Sequence, residues 1–274
     1  MKKKFWKWLA LIIALVLIGY LGYFANSMLG NPISERLAAN AAEKYLQTQF
    51  PGTDYFIDHI NFSFKDSCYH AFVESPTSVD TYFSICISML GEVWYDTFDS
   101  VESGWNTYRR LEEEYRALTD TIFDNPAFPY QSNILFGTLE MQHKEALEDP
   151  DITDIPDYAM VIDELVLDKV YDIGQLGAQA GRLVVYVDTD TITFQEAARI
   201  MLDIKKMFDD AGIPFYAMDF TLQYPLPEEG IRPDGDIRVE DFLYSDLYED
   251  GLVQRLEQAH NDLNAYYEEQ DKLK

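Results

Sequence analysis

The chain predicts an α+β protein: an N-terminal transmembrane helix followed by two small α+β domains with mainly antiparallel sheets. Three observations lead there. Lys2, Lys3, Lys4 and Lys7 precede an uncharged apolar run over residues 8–24. Several segments then alternate apolar and polar residues with period two, as half-buried antiparallel strands do. Between and after them, apolar residues recur every three or four positions, the spacing of amphipathic helices.

The apolar run covers about 25 Å as a helix, a little short of a bilayer core of about 30 Å. Trp6 and Trp8 at one end and Tyr20 and Tyr23 at the other suit the two interfaces, and Lys7 can snorkel. The lysines place the N-terminus in the cytoplasm and the chain beyond residue 26 outside it. A cleaved signal peptide shares the basic start and apolar centre. The exit Tyr23-Phe24-Ala25-Asn26-Ser27-Met28 lacks a small-x-small cleavage site, and no cysteine follows for a lipoprotein route. An uncleaved signal anchor is therefore the expectation. It leaves about seven residues inside, too few for an intracellular output domain.

After Gly30-Asn31-Pro32, a helix over 34–49 carries Leu37, Ala41 and Tyr45 in one row and Ala38, Ala42 and Leu46 in the next. Ser34 is its expected cap, and Pro51-Gly52 its stop. Ile60, Phe62 and Phe64 alternate with His59, Asn61 and Ser63, and Phe83, Ile85 and Ile87 with Tyr82, Ser84 and Cys86. With 69–74 and 93–98 these make a four-stranded meander. A helix from about 101 to 123 follows, with Val101, Trp105, Tyr108, Leu111, Tyr115, Leu118 and Ile122 in a stripe. The expected domains are a stub and anchor at 1–25, the meander with its helices at 31–125, and a C-terminal α/β domain at 126–274.

That last region opens with a strand near 133–141 and an acidic loop carrying Pro150 and Pro156. A strand at 183–188 leads to Thr193 and Glu196, a capping box for a helix presenting Ala197, Ile200, Met201, Ile204, Met207 and Phe208. Gly212 and Pro214 mark its end. Tyr216, Met218, Phe220 and Leu222 form the next strand, and a turn-rich stretch precedes a last helix along Leu252, Leu256, Ala259, Leu263 and Tyr267.

Of 21 basic residues, 17 remain beyond the four leading lysines, against 48 acidic ones, a net charge of −31. Such a surface repels nucleic acid and anionic lipid headgroups, and is compatible with a basic partner or with solubility alone. With 47% hydrophobic residues, the acidic positions are interspersed among apolar ones, which is not the pattern of a disordered tail. Cys68 and Cys86 lie on consecutive strands. A hairpin centred on Thr77 sets them opposite each other, to form a disulfide or remain two thiols in a sheet.

Five strings, taken in order, resemble the YfjL-like family of membrane-anchored proteins from Gram-positive bacteria. They are the lysine-led anchor, Gly30-Asn31-Pro32, Ser103-Gly104-Trp105-Asn106-Thr107-Tyr108-Arg109-Arg110-Leu111, Gly212-Ile213-Pro214-Phe215-Tyr216, and Phe242-Leu243-Tyr244-Ser245-Asp246-Leu247-Tyr248. The resemblance spans nearly the whole chain as an N-terminal and a C-terminal domain. It implies a bacterial envelope setting and no assigned activity, and the Cys68/Cys86 pair is not a feature it brings.

The metalloprotease, dithiol, phosphate-loop and serine-hydrolase motifs are all absent. His59 and His70 fall in one sheet, where Asp58 or Asp66 could join them on a zinc ion, or they are surface strand residues. Asp188 and Asp190 end a strand of an α/β unit, a position for Mg²⁺ or Ca²⁺ or for a plain helix-capping turn. Asp149, Asp151, Asp154 and Asp157 could clasp Ca²⁺ as an acidic loop or be a solvated loop; their spacing is not that of an EF-hand, since Asp154 stands where glycine is needed and Met160 where glutamate is. Trp105, Tyr108, Arg109 and Arg110 are binding-patch residue types on a helix whose aromatics also suit a core. The expectation is a membrane-anchored extracytoplasmic binding module without cofactor, whose partner is an envelope protein or other basic molecule. The alternative is an envelope hydrolase or transferase with a carboxylate site.

Overall fold

The computed structural model describes residues 2–152, 155–227 and 230–273. Within the first helix the side chains at 2–5, 7, 9, 10, 21, 23 and 25–27 are outside that description, as are Leu273's side chain and Asp154 of the acidic loop. Two compact units emerge, one of residues 1–107 with 166–168, the other of 108–165 with 169–274.

The first unit begins with α1 (Lys2–Leu29) and α2 (Pro32–Gln49). β1 (Phe56–Ser63), β2 (Cys68–Ser75), β3 (Ser78–Ile87) and β4 (Val93–Asp96) then form an antiparallel sheet in that order. Strand alternation sends Tyr69, Ala71, Val73, Phe83, Ile85 and Ile87 to one face, where Ala38, Ala42 and Leu46 of α2 cover them. Small residues on α2 let the helix lie close to the sheet. Phe50, Tyr55, Phe83 and Phe98 close one end, with ring centroids 4.6–6.3 Å apart.

The cap of α2 is Asn31, not Ser34. Its side chain accepts from the N–H groups of Ile33 and Ser34, and Pro32 stands in the first turn, where a missing N–H costs nothing. Ser34 instead accepts from Asn31 Nδ2 at 2.9 Å. The Tyr69 hydroxyl accepts from the Asn31 N–H at 2.8 Å and donates to its carbonyl at 3.0 Å. Gly30 has φ +68, and a Cβ there would strike that same hydroxyl. The junction between α1 and α2 is thereby fixed by one phenol.

The hairpin of β2 and β3 departs from the expected register. A bulge between Glu74 and Ser75 shifts the pairing, so Cys86 faces His70 and lies diagonal to Cys68. The two cysteines are joined by a disulfide with Cα atoms 5.8 Å apart. The expected helix over 101–123 is also broken. α3 (Asp99–Glu102) stops at Gly104, whose φ of +77 no helix accommodates, and α4 (Trp105–Phe123) restarts after it. The division between the two compact units falls inside α4, between Thr107 and Tyr108. Asp80 is fully buried in the first unit, its carboxylate accepting from the Thr107 hydroxyl and the Asp168 N–H, each at 2.9 Å.

The second unit holds a mixed sheet ordered β10-β9-β8-β5, from β5 (Leu135–Leu139), β8 (Gly181–Asp188), β9 (Ala217–Gln223) and β10 (Ile237–Leu243). β8 and β9 are parallel and connected by α7 (Phe194–Ala211); the other two pairings are antiparallel. A short parallel pair, β6 (Met141–Gln142) with β7 (Met160–Val161), flanks α5 (Lys144–Glu148). α6 (Ile173–Ala180) precedes β8, and α8 (Leu252–Leu273) ends the described chain. Leu183, Val185 and Val187 with Met218, Phe220 and Leu222 pack under α7 and α8. Leu111, Tyr115, Leu139, Met141, Ile162 and Leu176 form a second cluster. Thr193 accepts from the Glu196 N–H at 3.2 Å, but Glu196 turns to Arg199 and leaves the box half-made.

The α+β class with antiparallel sheets holds. Among the described residues no helix is long and apolar enough to cross a membrane, so the expected transmembrane anchor is not shown. Four positions of the 8–24 run (9, 10, 21 and 23) have side chains outside the description.

Replacing Gly30 with alanine forces a positive φ on a residue with a Cβ and drives that carbon into Tyr69. The Gly30→Ala variant should lose about 2 kcal/mol, read as a lower urea midpoint of the full chain. An unchanged midpoint would show that Tyr69 moves aside freely.

Candidate functional site

Arg182 sits at the start of β8 on the sheet face opposite Leu183, and it is mostly buried. A guanidinium there needs anions, and three separate segments supply them. Its Nη2 lies 2.6 Å from Glu140 Oε1, in the residue between β5 and β6, and its Nη1 lies 3.4 Å from Asp219 Oδ2 on β9 and 3.8 Å from Asp241 Oδ1 on β10. The Arg182 Nε is buried without an acceptor among the described residues.

Asp241 reaches the cluster through a distortion. β10 bulges between Val239 and Phe242, and Asp241 takes φ +50, unusual for a residue with a Cβ. Its N–H donates to Asp219 Oδ1 at 2.8 Å, and the Tyr158 hydroxyl donates a short hydrogen bond to its carboxylate. The Tyr158 ring packs on Tyr216 with centroids 4.6 Å apart.

Three carboxylates around one guanidinium leave the cluster with excess negative charge. Burial pushes the Asp219 carboxyl up to about 6, only partly opposed by Arg182 and the Asp241 N–H. Burial raises Glu140 as well, again against Arg182. Tyr158 is pushed far up by burial and by its bond to Asp241, so it remains a donor. Burial works against the Arg182 charge, and Asp219 and Glu140 overcome it.

Asp241 also opens onto a cleft of about 660 Å³ along the C-terminal half of α8. Asp151, Glu240, Asp241 and Asp271 supply four carboxylates to its lining, and Tyr266 and Tyr267 two rings with centroids 5.6 Å apart. The Tyr267 hydroxyl donates to Glu240 at 3.2 Å. No basic residue is among the described ones that line it. The arrangement offers anionic oxygens beside aromatic faces, a surface for an ammonium or guanidinium group. A second cleft of about 400 Å³, lined by Phe208, Ile213, Pro214, Phe215 and Tyr244, is mainly apolar.

Apart from Asp151 in that cleft, the residues singled out by sequence fall elsewhere. Trp105 is partly exposed in the first unit. Tyr108 is half-buried in the second, raised to about 12 by burial, with its hydroxyl 3.5 Å from the Leu139 carbonyl. Arg109 lies 3.8 Å from Glu113, while Arg110 pairs with Glu114 at 2.9 Å and donates to the Lys169 carbonyl at 3.0 Å. Both arginines thus have partners on their own helix. Asp188 accepts from Gln223 Nε2 at 3.0 Å and faces Arg232 at 3.5 Å, and Asp190 is exposed. His59 lies 2.6 Å from Asp58 and stacks on Phe72, apart from His70 and its partner Asp66. The ligating atoms that converge among the described residues are those of Cys68, His70 and Cys86.

Sequence reasoning missed Arg182, Glu140, Asp219 and Asp241. For the first three the available signal was a charged residue flanked by apolar ones: Gly181-Arg182-Leu183, Leu139-Glu140-Met141 and Met218-Asp219-Phe220; Asp241, after Glu240, carries no such signal.

Between its unfolded value near 3.8 and about 6, Asp219 binds more protons in the folded chain than in the unfolded one. Its contribution to stability therefore falls as pH rises through that window, by about 2 to 3 kcal/mol in all. Asp219→Asn keeps an acceptor for the Asp241 N–H. Its stability relative to the parent should rise by about that amount from pH 4 to pH 7, read from urea midpoints. Parallel profiles would show that Asp219 does not carry the shift.

No curated protein and no solved structure matches this chain. Residues 4–97 match the YfjL-like N-terminal domain and residues 114–257 the YfjL-like C-terminal domain. The two matches follow one another along most of the sequence, and the chain belongs to the YfjL-like family.

Proposed function

We propose that this chain is a membrane-anchored, extracytoplasmic interaction module of the bacterial envelope that takes a cationic segment of a partner protein into the acidic cleft along α8. The observation that carries the reading is the lining of that cleft: four carboxylates, two tyrosines and no described basic residue. A lysine or arginine side chain entering it exchanges water for charge-assisted hydrogen bonds and ring faces. The net charge of −27 draws basic partners from a distance.

The anchoring part rests on the lysine-led start and on α1, whose 28 residues extend about 42 Å. Leu11, Ile12, Ile13, Leu15, Val16, Leu17 and Ile18 are all exposed, so this helix is apolar around its circumference without being covered by the fold. Such a helix belongs in a larger core or in lipid. Tethering raises the local concentration of the cleft near envelope partners without adding contacts.

The second reading, an envelope hydrolase or transferase, draws on the raised Asp219 and Glu140 carboxyls, since perturbed acids gather at catalytic sites. Asp219, however, has one oxygen on the Asp241 N–H and the other on Arg182, and ion-pair networks shift acids in the same way.

The test uses the full chain in detergent with a lysine-rich peptide and its fully acetylated counterpart. The unmodified peptide should bind, acetylation should abolish binding, and Glu240→Gln with Asp271→Asn should weaken it by about tenfold. Glu43→Gln with Glu102→Gln, an equal charge change elsewhere, should leave affinity within about twofold. Equal losses from both pairs would reduce the effect to bulk charge. For topology, a protease added outside intact cells should cleave the folded units; protection until permeabilisation would overturn the placement.

A further inference from the structure

The sheet face of the first unit that turns away from α2 carries a group of side chains unrelated to the acidic cleft. Cys68 and His70 are two residues apart on β2, and so share a face, and Cys86 on β3 stands directly opposite His70. The sulfur atoms and an imidazole nitrogen all lie within 4.8 Å of one another, with Cys68 Sγ 3.5 Å from His70 Nε2. Asp66, in the turn before β2, brings Oδ2 to 3.1 Å from the same Nε2, and Ser63 Oγ donates to that carboxylate at 2.8 Å. Both cysteines are fully buried, His70 is partly so, and Asp66 is exposed.

A disulfide needs neither an imidazole against its sulfur nor a carboxylate at the same imidazole nitrogen. Thiolate, imidazole and carboxylate are all ligand types that a tetrahedral zinc site can combine. With Zn–S bonds of about 2.3 Å and Zn–N of about 2.0–2.1 Å, tetrahedral geometry sets sulfur and nitrogen about 3.5 Å apart and two sulfurs about 3.8 Å apart. The Cys68–His70 spacing already meets the first requirement. The second requires only that the S–S bond be broken and the sulfurs part by less than about 2 Å, within reach of side-chain rotation.

We infer that these four residues form a redox-gated zinc site: closed as the Cys68–Cys86 disulfide, and, once reduced, binding one Zn²⁺ through Cys68, Cys86, His70 and Asp66. The reductant is a dithiol protein or small molecule. One of its thiolates attacks a sulfur of the pair, its second thiol resolves the mixed disulfide, and the two electrons leave the reductant as its own disulfide. The chain is left with two thiols. Zinc then binds both as thiolates and the neutral imidazole through Nε2, releasing two protons. In an oxidising setting the disulfide holds the hairpin, and under reducing conditions the metal takes over the same cross-link between β2 and β3.

The experiment uses the full chain in detergent, unmodified, before and after reduction by a phosphine, with native mass spectrometry for zinc stoichiometry and Co²⁺ as an optical probe. Reduced chain should take one Zn²⁺ at least about 100-fold more tightly than oxidised chain, and should give thiolate-to-cobalt charge-transfer absorption. His70→Ala should weaken the reduced site by about tenfold or more, as should Asp66→Asn. Equal zinc binding by oxidised and reduced chain overturns the site, since it locates the metal on the acidic surface. Reduced chain that takes no zinc overturns it too, whether its circular dichroism is kept or lost. An Asp66→Asn variant that binds as tightly as the parent overturns the assignment of the fourth ligand.

Discussion

A guanidinium cannot leave water unpaired, and the burial of Arg182 makes demands on most of the second unit around it. The residue after β5 must carry an acid, which is Glu140, and β9 must turn Asp219 away from its own apolar face. β10 must break its regular pleat so that Asp241 can approach from the edge. Each of these costs something on its own: a buried acid, a charge on an otherwise apolar strand, a left-handed aspartate. Together they satisfy one another, because without Arg182 the buried acids Glu140 and Asp219 would lose their counter-charge. The same distortion that brings Asp241 to Arg182 also delivers its carboxylate to the rim of the cleft along α8. Site and scaffold are in this way one construction.

The first unit solves a simpler problem. Its sheet has one apolar face closed by α2 and the aromatic group around Phe50, and the other face lies outside that hydrocarbon core. Polar and sulfur-bearing side chains occupy it without disturbing the core. That separation is why His59, His70, Cys68 and Cys86 can be neighbours or near-neighbours in a sheet whose opposite side is hydrocarbon.

Much of the fold was legible because it is encoded locally. Thr193 and Gly212 bracket α7, and the alternation of Phe83, Ile85 and Ile87 marks β3 as a half-buried strand. What was not legible involves partners distant in sequence or a local rule broken on purpose. β10 was hidden because its bulge moves the apolar positions from 237 and 239 to 242, which destroys the period of two. α6 carries two glycines, and at Gly177 a Cβ would meet the Tyr115 ring at 2.5 Å, so a close approach and not flexibility dictates that residue. The hairpin register slipped because a bulge has no marker in Glu74-Ser75. The Arg182 cluster draws on residues 140, 158, 219 and 241, and no spacing in the chain announces that they meet.

The junction at Asn31 has a mechanical consequence. One phenol holds both backbone groups of that residue, while the left-handed turn before it and the proline after it admit little torsion. A twist imposed on α1 about its own axis therefore has no swivel in which to dissipate. It passes as torque through Tyr69 into β2, the strand that also bears Cys68 and His70, which makes that helix a shaft geared to the sheet and not a loose leash.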